Sequence, residues 1–208
     1  MHSHKMKRSA FAAAMLAVVV DAASPSQIAT GLDHSCEIHN GAIECWGSNE
    51  RGQAPESVKP TDGSSKFLSV TASWDYTCGV TAGGKLECFG ENQEGEAPST
   101  PTRATDKSAF VACSAGGYHT CCLTSNGAID CFGDDWAGQA GLDKKPKSGT
   151  TFTAVCAGGY HTCGLTSSGQ AQCCQCFQAR RHTHHVLPQR TALRLVMLDY
   201  QTTARAFM

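Results

Sequence analysis

Gly116-Gly-Tyr-His-Thr-Cys-Cys-Leu-Thr-Ser-Asn-Gly-Ala-Ile-Asp-Cys-Phe-Gly133 is the stretch whose reading decides the fold. It reads as two short strands around a turn, and the chain repeats it. His34-Ser35-Cys36 is answered by Cys45-Trp46-Gly47, Tyr76-Thr77-Cys78 by Cys88-Phe89-Gly90, and His119-Thr120-Cys121 by Cys131-Phe132-Gly133. His161-Thr162-Cys163 is answered by Cys173, where the pattern breaks. The leading cysteines are 42, 43 and 42 residues apart, a fixed period that marks one supersecondary unit used repeatedly.

The register inside the unit is readable. Facing residues of an antiparallel hairpin have numbers of constant sum. With Ala82-Gly83-Gly84 as the loop, Thr81 faces Lys85 and Cys78 faces Cys88. Ser125-Asn126-Gly127 sets Cys121 against Cys131, and Ser167-Ser168-Gly169 sets Cys163 against Cys173. The first unit has the two-residue loop Asn40-Gly41, suited to a type I′ turn, and its cysteines Cys36 and Cys45 are nine apart rather than ten. Loop length and cysteine spacing change together. Directly opposed cysteines are within reach of a bridge, given an oxidising compartment. Buried free thiols are the alternative. Cys113, Cys122, Cys156, Cys174 and Cys176 have no repeat-wide partner; a bridge between blades from Cys113 to Cys156 is conceivable.

Each unit opens on a β-rich run. Ile28-Ala29-Thr30-Gly31 aligns with Val70-Thr71-Ala72-Ser73, Cys113-Ser114-Ala115-Gly116 and Val155-Cys156-Ala157-Gly158, and Phe67, Phe110 and Phe152 precede the last three. Each hairpin is followed by Asn49, Asn92 or Asp135 and then Gly-Gln/Glu-Ala, a turn signature. Short strands and glycine turns at regular spacing give all-β structure. A period near 42 has the size of a propeller blade.

The composite Ala-Gly-x-x-His-Thr…Trp/Phe-Gly-x-Asn-x-x-Gly-Gln resembles the regulator-of-chromosome-condensation repeat. It is especially similar to the cysteine-containing extracellular versions, and more loosely to β-lactamase inhibitor protein II. The resemblance covers residues 25–174 and implies a β-propeller of four-stranded blades. The chain supplies about three and a half such blades, near 25–66, 67–109, 110–151 and 152–174, so an open arc is expected. The open end strands make self-association an expectation. No insertion resembles the wedge of the chromatin-bound member, so its nucleotide-exchange activity is not expected.

Lys5, Lys7 and Arg8 precede the apolar run Ala10–Val20, and small residues follow up to Ala22. Residues 1–22 therefore read as an export signal. No later run is long and apolar enough for a transmembrane span. Thirteen cysteines in 208 residues agree with export to an oxidising compartment. Residues 23–174 carry 9 Lys/Arg and 16 Asp/Glu, a net of −7, which argues against nucleic acid as a ligand. From 175 to 208 Gly disappears, and five Arg stand against Asp199. This tail reads as out of pattern, the mark of a changed reading frame or a mis-assigned exon. A zinc set Cys173, Cys176, His182 and His185 has the right atoms, but its spacing is short and Cys173 already has a partner. No metal or cofactor is expected.

Histidines 34, 119 and 161, with Tyr76 in the fourth place, repeat in register, so they read as structural, and no catalytic constellation is found. The residues just before each Thr/Ser-Cys step vary within the fixed frame. Trp74, Asp75, Tyr76, Tyr118 and Tyr160 are the candidate binding face of a secreted module for an extracellular protein or, alternatively, a glycan; a non-functional fragment of a longer seven-bladed protein is the other alternative. Packing between blades is the competing reading for the aromatics.

Overall fold

The computed structural model describes residues 20–21, 26–142, 146 and 149–174. Strand β1 is Val20–Asp21. Blade 1 holds β2 (Ile28–Thr30), β3 (His34–His39) and β4 (Ala42–Gly47). Blade 2 holds β5 (Phe67–Ala72), β6 (Tyr76–Thr81) and β7 (Leu86–Gly90). Blade 3 holds β8 (Phe110–Ala115), β9 (His119–Thr124) and β10 (Ile129–Gly133). Blade 4 holds β11 (Phe152–Ala157), β12 (Thr162–Thr166) and β13 (Ala171–Cys173).

The fold is all-β and the blades form an open arc. Blades 1 to 3 are three-stranded antiparallel sheets. The expected fourth strand is reduced to single bridges, Val58 to Ile43 in blade 1 and Thr102 to Leu86 in blade 2. Pro-, Ser- and Thr-rich connections supply those residues, and such sequence does not sustain a longer ladder. Blade 4 has a fourth strand on the opposite edge, β1, whose Val20 and Asp21 pair with Val155 and Ala154 of the leading strand β11. The rest of the expected signal, the 175–208 tail and its Cys176, His182 and His185 lie outside the described residues.

The hairpin registers are those expected from the constant sums. Cys36 faces Cys45, Cys78 faces Cys88, Cys121 faces Cys131 and Cys163 faces Cys173. Asn40 and Gly41 both take positive φ, as a type I′ turn needs, and Gly84, Gly127 and Gly169 do so at the third loop position of the longer turns. All four pairs are disulfides, with Cα separations of 4.0 to 4.1 Å.

A fifth bridge, Cys113–Cys122, joins β8 to β9 inside blade 3. It corrects the notion of a Cys113–Cys156 link between blades. The equivalent facing pairs are Val70 with Gly79 in blade 2 and Val155 with Gly164 in blade 4. A Cβ on Gly79 would run into Phe67 and into Ile43 of the blade before, and one on Gly164 into Phe152 and Ile129. In blade 3 the preceding blade presents Leu86 instead, and Cys122 packs in the same cluster with it. A large–small pair is thus replaced by two cysteines that bond each other. Cys156 is a free thiol, and Cys174 Sγ lies 3.2 Å from Gln139 O. The zinc set loses Cys173, which is bonded to Cys163.

The core lies between blades rather than within them. One cluster joins Ala29, Cys36 and Ile43 of blade 1 to Phe67 and Val70 of blade 2. Another joins Tyr76, Val80 and Leu86 of blade 2 to Phe110 and Cys113 of blade 3, and a third joins Leu123 and Ile129 to Phe152 and Val155 of blade 4. The aromatic after each second hairpin cysteine seals the joint with the blade before: Phe89 packs on the first cluster and Phe132 on the second. Each repeat therefore depends on its neighbour for burial, as stacked repeats do.

Candidate functional site

The repeated histidines belong to these joints. His34 Nε2 lies 2.8 Å from Thr77 Oγ1 of the next blade, and His119 Nε2 lies 2.8 Å from Thr162 Oγ1. Thr162 donates its single hydroxyl proton to Gln139 O at 2.8 Å, so His119 Nε2 must carry the proton that bridges them. Its Nδ1 is then an acceptor buried without a partner, and Nδ1 of His34 is likewise buried without one. Burial above all, with the neighbouring His161, pushes the His119 pKa down to about 4. His34 is shifted the same way, again chiefly by burial. These rings are neutral posts of the joint, not proton carriers.

Tyr76 does the same work in blade 2. Its hydroxyl reaches His119 O at 2.6 Å and Gly116 O at 2.9 Å, and Thr120 Oγ1 lies 3.1 Å from it while donating to Glu96 O. Tyr76 is 1% exposed. It therefore belongs to the joint and leaves the candidate binding face. The turn residues also match their reading: Asn49, Asn92 and Asp135 accept from the amides of Ala54, Ala97 and Ala140 at 2.9 to 3.0 Å.

The remaining aromatics come together. The Trp74 and Tyr118 ring centroids are 4.9 Å apart at 84°, and those of Trp74 and Tyr160 are 5.9 Å apart at 79°. Both are edge-to-face contacts, the geometry aromatic quadrupoles prefer. Trp74 precedes β6, Tyr118 precedes β9 and Tyr160 precedes β12, so three blades contribute. Room for the indole comes from Gly117, where a Cβ would stand 3.4 Å from two Trp74 ring atoms and 2.7 Å from Gly159 O. The residues at the Tyr118 position in blades 1 and 2 are Asp33 and Asp75, so the row runs acid, acid, Tyr, Tyr around the arc. Burial, then Tyr160, Glu91 and Asp75, raise the Tyr118 pKa. Trp74, Asp75 and Tyr118 are half-buried and Tyr160 is 41% exposed. Trp74 thus packs across a joint, while Tyr160 faces solvent.

The group with three potential metal ligands among the described residues is Glu37, His39 and Glu44, on one face of the first hairpin, with ligand atoms within 4.8 Å of one another. Glu37 and Glu44 are directly opposed, and His39 Nδ1 stands 3.5 Å from Glu44 Oε2. The three are partly or fully solvated, and exposed acidic groups gathered in this way are common without an ion.

Paired-strand blades whose cores lie in their joints define an open β-propeller. Residues 110–139 and 152–174 match the regulator of chromosome condensation (RCC1) repeat. These two stretches therefore carry RCC1-like repeats. No curated protein sequence matches it. Among solved structures it is similar to the CRINKLY WD40 ectodomain of the Arabidopsis thaliana receptor kinase ACR4, at 25% identity and TM-score 0.56 over 69% of this chain and 53% of that one. It is similar to yeast RCC1 (Prp20), solved bound to Kap60, at 19% identity and TM-score 0.56 over 76% and 44%. Human WBSCR16 matches at 17% identity and TM-score 0.52 over 76% and 47%. The chain spans about half the length of these structures.

The sequence singled out four cysteine pairs and all four are bonded. It missed Cys113–Cys122. The signal was present: Val faces Gly in the flanking blades, and both are replaced by Cys in blade 3.

Proposed function

We propose that this chain is an exported protein-binding module that receives its partner on the face formed by Trp74, Tyr118 and Tyr160, with Asp75 at its rim. The carrying observation is the edge-to-face contact of Trp74 with both tyrosines, which presents rings already fixed in place. Rigid aromatics with polar tips bury much area at little conformational cost. Five disulfides favour an oxidising compartment, and the ACR4 likeness is to a receptor ectodomain. The role is binding rather than catalysis, because the repeated histidines are committed to the joints.

The test uses Trp74→Ala and Tyr160→Ala in the secreted chain. Folding is read by disulfide mapping and near-UV circular dichroism. Binding is read by photo-crosslinking to cell-surface proteins, with a glycan array in parallel. Normal folding with at least about a tenfold loss of one specific crosslinked protein supports the proposal. Array binding lost in the same variants selects the carbohydrate-binding alternative. Unfolding of both variants assigns the rings to packing alone and removes the face.

A further inference from the structure

Blade 1 carries half of a blade joint that no described residue covers. At the joints between blades 1–2, 2–3 and 3–4, the later blade contributes the same three elements. The first is a side chain on its leading strand: Val70, Cys113 or Val155, each 1–2% exposed. The second is a threonine, Thr77, Thr120 or Thr162, each 0% exposed. The third follows the second hairpin cysteine: Phe89, Phe132 or Cys174, each packed on the cluster of the joint.

Blade 1 has the equivalents of all three. Ile28 is 57% exposed and Trp46 is 52% exposed. Ser35, the counterpart of the buried threonines, is half-buried. An apolar side chain on the leading strand, a hydroxyl and an aromatic ring are the surface on which the preceding blade would sit. Exposed apolar area of this kind marks an interaction site when its residues are contiguous.

The surface such a half-joint fits is the trailing face of a like blade. This chain bears one at the opposite end of its arc. There His161 stands against Gly158 just as His34 stands against Gly31, and the Cys163–Cys173 bridge occupies the place of Cys36–Cys45. Ala171 and Cys173 are exposed, where Ile43, Leu86 and Ile129 at the Ala171 position are 0–1% exposed.

We infer that two copies of this chain join head to tail, the Ile28–Ser35–Trp46 face of each meeting the His161–Ala171–Cys173 face of the other. The contact is heterologous, because the two faces differ, and a closed pair is the smallest assembly that covers both faces of both copies. This inference is independent of the aromatic face, which lies on other residues.

The test is the mass of the full secreted chain by light scattering and sedimentation over a concentration series. Ile28→Asp blocks the head face and Ala171→Arg blocks the tail face. Both positions are exposed in the single chain, and near-UV circular dichroism verifies folding; Trp46→Lys replaces Ile28→Asp if that variant misfolds. The expected results are a dimer for the unaltered chain and a monomer for each variant. An equimolar mixture of the two variants should regain a one-to-one complex through its one intact joint. A monomeric unaltered chain overturns the inference, including one whose Trp46 is protected from hydroxyl-radical labelling, since the occupant is then a segment of the same chain such as 175–208. Dimerisation lost in Ile28→Asp but kept in Ala171→Arg also overturns it, because that pattern is head-to-head pairing. A mixture that stays monomeric overturns it as well.

Discussion

The imidazole of His119 lies against the α-carbon of Gly116, so close that a Cβ on that glycine would overlap the ring. Gly31 stands to His34, and Gly158 to His161, in the same way. None of the three glycines has positive φ, so space rather than backbone conformation demands them. The tight turn between the two residues is shared by all blades: the amides of Gly31, Ser73, Gly116 and Gly158 donate to the carbonyls of His34, Tyr76, His119 and His161 at 2.7 to 3.0 Å. Only blade 2 has a side chain at the glycine position, Ser73, and only blade 2 has Tyr76 in place of histidine.

Gly116→Ser should therefore destabilise the protein by about 1–3 kcal/mol, the range for overpacking a filled site. Combining it with His119→Tyr copies the blade 2 pair into blade 3 and should recover most of the loss. The measurement is a double-substitution cycle in urea, and a coupling energy near zero would refute the pairing.

The joint also makes the protein acid-sensitive. The folded pKa of His119 is about 4, below its ordinary value of 6.5. The unfolded chain then takes up a proton at higher pH than the folded one. The stability this neutral histidine represents is fully present above about pH 6.5 and is lost as pH falls toward about 4. A shift of this size corresponds to a loss on the order of 3 kcal/mol. His34 acts in the same direction. Urea midpoints at pH 7.5 and 4.5 should differ accordingly, and His119→Gln should flatten the dependence. An unchanged slope in that variant would assign the acid sensitivity elsewhere.

The hairpins were legible because a loop of two residues and a loop of three each predict one cysteine spacing, and both occur in this chain. The joints were only half legible. A histidine at the same place in three of the four units could be recognised as structural, but its partner, a threonine some 43 residues on, is set by how blades stack. The burial of Tyr76 has the same cause: seen along the chain it adjoins Trp74 and Asp75, yet it starts β6 and points into the next joint. The aromatic face could be suggested but not assembled, since Trp74 and Tyr118 occupy neighbouring, non-equivalent repeat positions. Gly117, which admits the indole, reads along the chain as an ordinary turn residue.

Two ways of removing the Cys113–Cys122 bridge should differ. Closing a loop of nine residues, it contributes about 2–3 kcal/mol on the chain-entropy account. Cys122→Ser alone loses that and leaves Cys113 free beside other bridges during oxidation. Cys113→Val together with Cys122→Gly restores the pair found in blades 2 and 4, and should be secreted at a higher level than the single variant. Non-reducing peptide maps of both supply the check. Equal yields, with native pairing of the other four bridges in each, would show that the large–small pair offers blade 3 nothing.

The final prediction concerns β1. Its two residues pair with β11, yet both lie in the stretch whose composition marks an export signal ending at Ala22. Cleavage there and retention of this pairing exclude each other. In a chain processed after Ala22, β11 becomes the edge strand of blade 4, held only by β12. Amides of Ala154 to Cys156 that point away from β12 should then exchange with solvent much faster than those that point toward it, because an edge strand leaves alternate groups unpaired. N-terminal sequencing of the secreted protein fixes which chain is present, and hydrogen exchange on β11 reads the consequence. A chain beginning at Ala23 whose β11 amides are uniformly protected would mean that something else pairs with that edge.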